Sequence, residues 1–223
     1  MNANRIKVPG SPPESNGRMT KGSPMAEATA DRQGTPVLRL VRPIVLIGLM
    51  GAGKSSVGAK LAEILGAAFC DSDAEIEKAA NLSVPEIFER YGETHFRDGE
   101  RRVIARLLGG KPLVLATGGG AFMDTATRAL IAERAVSVWL KADLELLVQR
   151  TAGRGHRPLL NRGDPRETLA GLIAVRYPVY EQADVHVESR QGQAHERMAL
   201  RIIAGLKKHG VRTGRGALEQ GTK

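Results

Sequence analysis

Residues Gly48 to Ser55 read GLMGAGKS and satisfy G-x-x-x-x-G-K-S in full. Each part of that pattern has a physical task. Glycines let successive backbone N–H groups turn inward around phosphate oxygens. A helix starting just after the loop presents its positive end to the same anion. Lys54 adds a charge between the outer phosphates, and the Ser55 hydroxyl can ligate Mg2+. The pattern indicates a nucleoside triphosphate and is silent about the acceptor.

Many phosphate-loop ATPases end a neighbouring strand with an aspartate for the metal. Here the corresponding run, PLVLATG at 112–118, ends without a carboxylate. The carboxylates that follow a strand close to the loop are in CDSDAEIE, where Asp71 and Asp73 flank Ser72. In an extended segment residues i and i+2 point to one side, so the pair can face one site. One carboxylate could serve the metal through water, and the other could take the proton of an attacking hydroxyl. Asp73 also suits the N-cap of a helix over AEIEKAA. No Asn-Lys-x-Asp element for reading guanine occurs, which argues against a GTPase.

THFRDGERR sets Arg97 and Glu100 three apart, neighbours on one helix face. A guanidinium held by Glu100 would make a planar fork for a carboxylate, though the spacing alone equally suits a surface ion pair. LATGGGAF places Gly118, Gly119 and Gly120 after an apolar run, where missing side chains permit close approach of backbone to ligand. GRGHRPLLNRG carries Arg154, Arg157 and Arg162 among glycines. Such a mobile loop can close over ATP, exclude water and neutralise a transferring phosphoryl group. Arg176, in VRYPVYEQAD, is a second candidate anion clamp or a structural charge. His95 and His156 have no metal-ligand partners at useful spacing.

These residues need a frame. RPIVLIG (42–48), AAFCD (67–71), PLVLATG (112–118), AVSVWL (135–140) and ADVHVE (183–188) read as strands. Helical patterns fall near 54–65, 73–80, 83–90, 94–108, 124–134, 143–151, 165–182 and 193–207. Alternation of this kind predicts a parallel sheet covered on both faces, with ligands beyond the carboxyl ends of its strands. Residues 1–37, rich in Pro, Gly and Ser without periodicity, predict a disordered extension; 38–207 form the domain, 152–165 its lid, and 208–223 a basic tail.

Composition bounds the rest. The 223 residues, 42% hydrophobic, are enough for one domain with a sizeable core. Cys70 is the single cysteine, which excludes a disulfide framework and fits a reducing cytoplasm. No apolar run approaches the ~20 residues of a membrane span. The net charge of +9 is concentrated at the ends. Lys and Arg outnumber Asp and Glu by six to three before residue 41 and by five to one from residue 206, against 22 to 20 between. A central part so near neutrality lacks the footprint of a polyanion-binding surface, so no nucleic acid is required, and the basic ends read as solvated tails open to weak RNA or membrane contact.

Together the GLMGAGKSSVG loop, DSD, FRDGE, TGGG, RPLL and R-Y-P-x-Y-x-x-A-D, in this order over roughly residues 40–190, resemble shikimate kinase. The resemblance implies a nucleoside-monophosphate-kinase-like α/β domain with strand order 2-3-1-4-5, working as a cytoplasmic monomer on ATP and shikimate with Mg2+. It implies that Gly51, Ala52, Gly53, Lys54, Ser55 and Ser56 hold ATP. Ser55 would ligate the metal and Asp71 assist it through water. Asp73 would bind the attacking 3-hydroxyl as the base. Arg97 and Arg176 would grip the acceptor carboxylate, and the Gly119 backbone would meet a substrate hydroxyl. Arg157 would reach the transferring phosphate from the lid, and Arg150 would lie near adenine. A kinase for another small hydroxy acid, such as gluconate, is the nearest rival, and a non-catalytic nucleotide-binding regulator the next.

Overall fold

A computed structural model of the chain describes residues 40–152 and 164–210. The expected terminal extensions, most of the expected lid, and Arg154, Arg157 and Arg162 therefore lie outside the described residues.

Five parallel strands form one sheet in the order β2-β3-β1-β4-β5. They are β1 (Ile44–Ile47), β2 (Ala68–Asp71), β3 (Leu113–Ala116), β4 (Val136–Lys141) and β5 (Val185–Glu188). The central strand β1 is buried at every position, and β3 likewise. Continuous apolar runs of this kind suit strands covered on both faces. Seven α-helices are present among the described residues: α1 (Lys54–Leu65), α2 (Ser72–Ala80), α3 (Val84–Leu108), α4 (Thr125–Arg134), α5 (Leu144–Thr151), α6 (Pro165–Tyr180) and α7 (His195–Lys208). The anticipated alternation and the expected strand order both hold.

Helix ends follow local chemistry. Ser83 and Glu86 form a reciprocal capping box at the start of α3, with Pro85 in the first turn. Asp124, Asp143 and Asp164 each cap the helix that follows. Gly66 in the left-handed region closes α1. The two helical patterns expected near 83–90 and 94–108 are joined in α3, with a break at Gly92, whose φ of 79° and ψ of 174° leave the helical region. That break lets the second half of α3 turn its Arg97–Glu100 face towards the end of β3. A short 3-10 turn, Ala121–Met123, follows the glycine triplet and has no periodicity that would announce it.

Because the strands are parallel, their carboxyl ends share one edge of the sheet. The phosphate loop, Asp71, the glycine triplet and Ser189 all issue from that edge. Helix α1 carries the loop and lies tightly on the sheet. A β-carbon at Gly58 would stand 2.6 Å from Phe69 Cε2 and 3.0 Å from Leu46 Cδ1. Gly58→Val should therefore overpack this contact and cost about 1–3 kcal/mol, read as a lower thermal midpoint. An unchanged midpoint would mean that α1 can shift off the sheet without loss.

Candidate active site

The loop after β1 takes its shape from three glycines in conformations that side-chain-bearing residues avoid: Gly48 (φ 144°), Gly51 (φ 83°) and Gly53 (φ 96°). Ala52 N–H closes the turn on the Leu49 carbonyl at 3.1 Å. Lys54 folds back over the loop, its Nζ donating to the carbonyls of Gly48 (2.8 Å) and Leu49 (3.1 Å). Ser55 and Ser56 are exposed at the start of α1. Arg150 flanks the loop from α5, donating to the Gly51 carbonyl (3.2 Å), Ser189 Oγ (2.8 Å) and the Arg190 carbonyl (3.1 Å). It is thus tied to the rim of the loop, beside the end of β5.

Asp71 and Asp73 do meet at one place, but not by strand alternation. Asp71 ends β2 and is itself the N-cap of α2, its Oδ1 accepting from Asp73 N–H at 3.1 Å. Asp73 is in the first helical turn rather than at the cap. A tight strand-to-helix turn brings the two carboxylates together, because Ser72 already has helical geometry. The other oxygen of Asp71, Oδ2, accepts from Ser55 Oγ at 2.7 Å. A hydroxyl and a carboxylate therefore stand together at the mouth of the loop. Asp73 faces inward, and burial pushes its pKa up, with Asp71 adding to the rise and Lys54 opposing it.

The glycine triplet after β3 works as a ruler. A β-carbon at Gly118 would lie 2.7 Å from Asp73 Oδ1 and 3.1 Å from Glu100 Oε1. At Gly119 it would lie 3.0 Å from Arg176 Nη1, and at Gly120 it would collide with the Arg97 guanidinium. The triplet thus leaves room for Asp73 and Glu100 at Gly118, for Arg176 at Gly119 and for Arg97 at Gly120. Gly118 N–H is held by the buried Ser72 Oγ at 3.2 Å, which ties β2 to β3 at this edge.

Arg97 is fixed by two carboxylates of its own helix. Its Nη1 donates to Glu100 Oε2 at 2.6 Å, and its Nη2 to Glu93 Oε1 at 3.2 Å. The guanidinium also stands 5.1 Å from the Phe96 ring centre. Glu100 is only 1% exposed, and its Oε1 has no hydrogen-bond partner among the described residues. Burial raises its pKa to about 7, despite the opposing pull of Arg97. Arg97, Arg176 and Gly120 line a cleft of about 700 Å³ whose wall includes Met123, Leu172 and Val175. An anionic group and an apolar ring face would both find partners there.

Residues 50–207 match the protein-family model for shikimate kinase. The chain belongs to the shikimate kinase family. A shikimate kinase of Paramagnetospirillum magneticum is 57% identical over 168 residues, covering 75% of this chain and 86% of that protein. The solved shikimate kinase of Acinetobacter baumannii, in complex with shikimate, superposes with a TM-score of 0.72 at 41% identity, covering 75% of this chain and 93% of that one. A gluconokinase of Sinorhizobium meliloti aligns with a TM-score of 0.50 at 20% identity, covering 76% of this chain and 94% of that one, a likeness of fold alone.

The structure brings Lys54, Ser55, Asp71 and Asp73 together at the loop, and Arg97 and Arg176 at the cleft, with Gly119 against Arg176. Arg150 stands at the far side of the loop, and Arg157 lies outside the described residues. Ser72, Glu93 and Tyr180 take part in the site without having been singled out from the sequence. Tyr180 is four residues after Arg176, a spacing that shares a helix face, and that was the available signal.

A carboxyl whose folded-state pKa lies above its unfolded value keeps its proton more tightly in the fold. Between pH 4.5 and about 7 the unfolded chain has released the Glu100 proton and the fold has kept it, so stability falls as pH rises through this window. Asp73 contributes with the same sign. Glu100→Gln should flatten the fall of the thermal midpoint across that range. An unaltered slope would assign it to other groups.

Proposed function

We propose that the chain is an ATP:shikimate 3-phosphotransferase. The observation that carries this reading is the ordered row of charges along the glycine triplet, an acid at Gly118 and arginines at Gly119 and Gly120. The triplet turns at Gly120, with the Gly118 carbonyl accepting from Ala121 N–H at 3.1 Å, so these charges are gathered around one short turn. A carboxylate and a hydroxyl on ring carbons two apart need such a short span. An acceptor whose carboxylate lies between Arg97 and Arg176 then presents its 3-hydroxyl to Asp73.

ATP occupies the phosphate loop, with the amides of Gly51 to Ser56 and Lys54 on its outer phosphates and Arg150 beside the nucleotide. The donors at the loop mouth fit Mg2+. Ser55 Oγ and Asp71 Oδ2 are hard oxygen ligands, and the described residues hold no group of three or more His, Cys, Asp or Glu suited to a metal. A Mg2+ site that draws its other ligands from phosphates and water has this sparse character. Bound there, the ion would neutralise phosphate charge. Asp73 orients the acceptor hydroxyl and takes its proton as the oxygen–phosphorus bond forms. The bond from the γ-phosphorus to the β-bridging oxygen breaks in line, releasing ADP. The raised pKa of Asp73 makes it a better proton acceptor than an exposed aspartate. Lys54 spreads the charge that develops on the phosphoryl oxygens, and the family resemblance adds Arg157 in the same role.

ADP formation with and without shikimate tests the reading directly, and ADP release driven by gluconate alone would overturn it. Asp73→Asn should lower kcat by about 10²–10⁴-fold with ATP affinity nearly unchanged, as measured by coupled ADP detection and nucleotide titration. Turnover close to wild type would remove Asp73 as the base. Arg97→Ala should raise KM for shikimate at least about tenfold and leave KM for ATP within a few-fold. It also uncovers the Glu100 carboxylate, so its thermal midpoint should fall as well. Equal weakening of both substrates would refute the clamp.

A further inference from the structure

Tyr180, in the last turn of α6, is fully buried. Its ring meets Trp139 of β4 and Phe122 of the 3-10 turn edge-on, with centroids 6.0 and 6.4 Å apart. This packing leaves the ring one orientation. The phenol Oη donates to the carbonyl oxygen of Gly119. Burial pushes the phenol pKa up, so the hydroxyl keeps the proton that it donates.

Arg176 approaches the same point from one turn earlier on the helix. A β-carbon at Gly119 would lie 3.0 Å from Arg176 Nη1 and 3.7 Å from Tyr180 Oη. The charge of the guanidinium opposes the effect of burial on the phenol. One hydroxyl therefore stands beside the clamp arginine while it holds the backbone of the triplet.

The consequence lies in the next amide. The Gly119 C=O and the Gly120 N–H belong to one planar trans peptide unit and point in opposite directions. Glycine on both sides supplies no β-carbon to stop that unit from rotating. Anchoring its oxygen inward aims its N–H the other way. Neither Gly119 N–H nor Gly120 N–H donates to a protein acceptor among the described residues. Gly120 is buried, and a buried amide without an acceptor is uncommon.

We propose that Tyr180 is a positioning residue for the acceptor. Its hydroxyl locks the Gly119–Gly120 peptide unit and steadies Arg176, so that a backbone N–H and a guanidinium converge on one carboxylate. This inference rests on the shikimate reading above. Tyr177 supplies an internal comparison. It too packs on Trp139 (4.9 Å between centroids), and its hydroxyl also donates to a backbone carbonyl, but that of Ala142, beyond the end of β4.

The test is steady-state kinetics on the full chain with Tyr180→Phe, which keeps the ring and removes the hydroxyl. KM for shikimate should rise about tenfold, with kcat and KM for ATP within about twofold. Tyr177→Phe should leave KM for shikimate unchanged. Tyr180→4-aminophenylalanine, which restores a donor at the same point, should recover much of the loss. With shikimate methyl ester, which lacks the carboxylate charge, wild type and Tyr180→Phe should differ far less than with shikimate. An unchanged KM for shikimate would overturn the inference, as would equal weakening of both substrates or the same effect from Tyr177→Phe. If Tyr180→Phe does not fold, the 4-amino variant decides alone: a tenfold KM defect despite a restored donor refutes the role, and near wild-type KM supports it. Wild type that does not phosphorylate shikimate would instead defeat the functional reading itself.

Discussion

The carboxylate of Glu100 is nearly removed from water, and much of the acceptor side of the site follows from how that is tolerated. A buried carboxylate without a cation is costly, so Arg97 is drawn onto it at 2.6 Å. An arginine held that closely cannot swing away to solvent. Its guanidinium then fills the space where a side chain at residue 120 would have been, and Glu100 itself crowds residue 118. The end of β3 must therefore be bare backbone. The triplet reads as a flexible turn in sequence but is a set of three forced vacancies, crowded by Asp73 and Glu100 at Gly118, Arg176 at Gly119 and Arg97 at Gly120.

The sheet explains why those groups can meet at all. Parallel pairing of β1 with β3 and of β3 with β2 aligns three carboxyl ends side by side. The phosphate loop, the two aspartates and the glycines thus share one edge although they are far apart in the chain. Hydrogen bonds across that edge keep the register: Thr117 N–H and Oγ1 to the Leu46 carbonyl, at 3.2 and 3.1 Å, and Gly118 N–H to Ser72 Oγ. Arg128 adds a brace from α4, donating to the carbonyls of Phe122 and Met123 at 2.8 Å each. The backbone that must approach the substrate is held by neighbours on several sides.

Much of this was legible in the chain. Five apolar runs separated by helical periods specify a parallel α/β domain, and a full phosphate loop specifies its edge. Strand order came from the resemblance, since periodicity says nothing about neighbours in space. The pairing of Arg97 with Glu100 was readable from spacing, but its burial was not, because α3 had to break at Gly92 before that face met the sheet. Asp71 and Asp73 meet as their spacing predicts, but not through the extended backbone that alternation requires, because the chain already turns into α2 at Ser72. Tyr180 stayed hidden because a buried tyrosine near the end of a helix usually packs a core, and only the position of Gly119 shows what its hydroxyl holds.

Charge along the cleft also sets the direction in which an acceptor enters. Arg97 is already shared between Glu93 and Glu100, so much of its charge is answered before any ligand arrives. Arg176 at Gly119 then supplies most of the attraction for an anion. Asp73, behind Gly118, repels the same anion from a partly buried position, and that burial is what raises its pKa. A molecule with a carboxylate at one end and hydroxyls at the other is pulled by the first end and placed by the second. Reversed, it would set two carboxylates against each other over a buried backbone, the arrangement that low dielectric penalises most. The polarity that orients the acceptor also delivers a hydroxyl, rather than a carboxylate, to the base beside the phosphate loop.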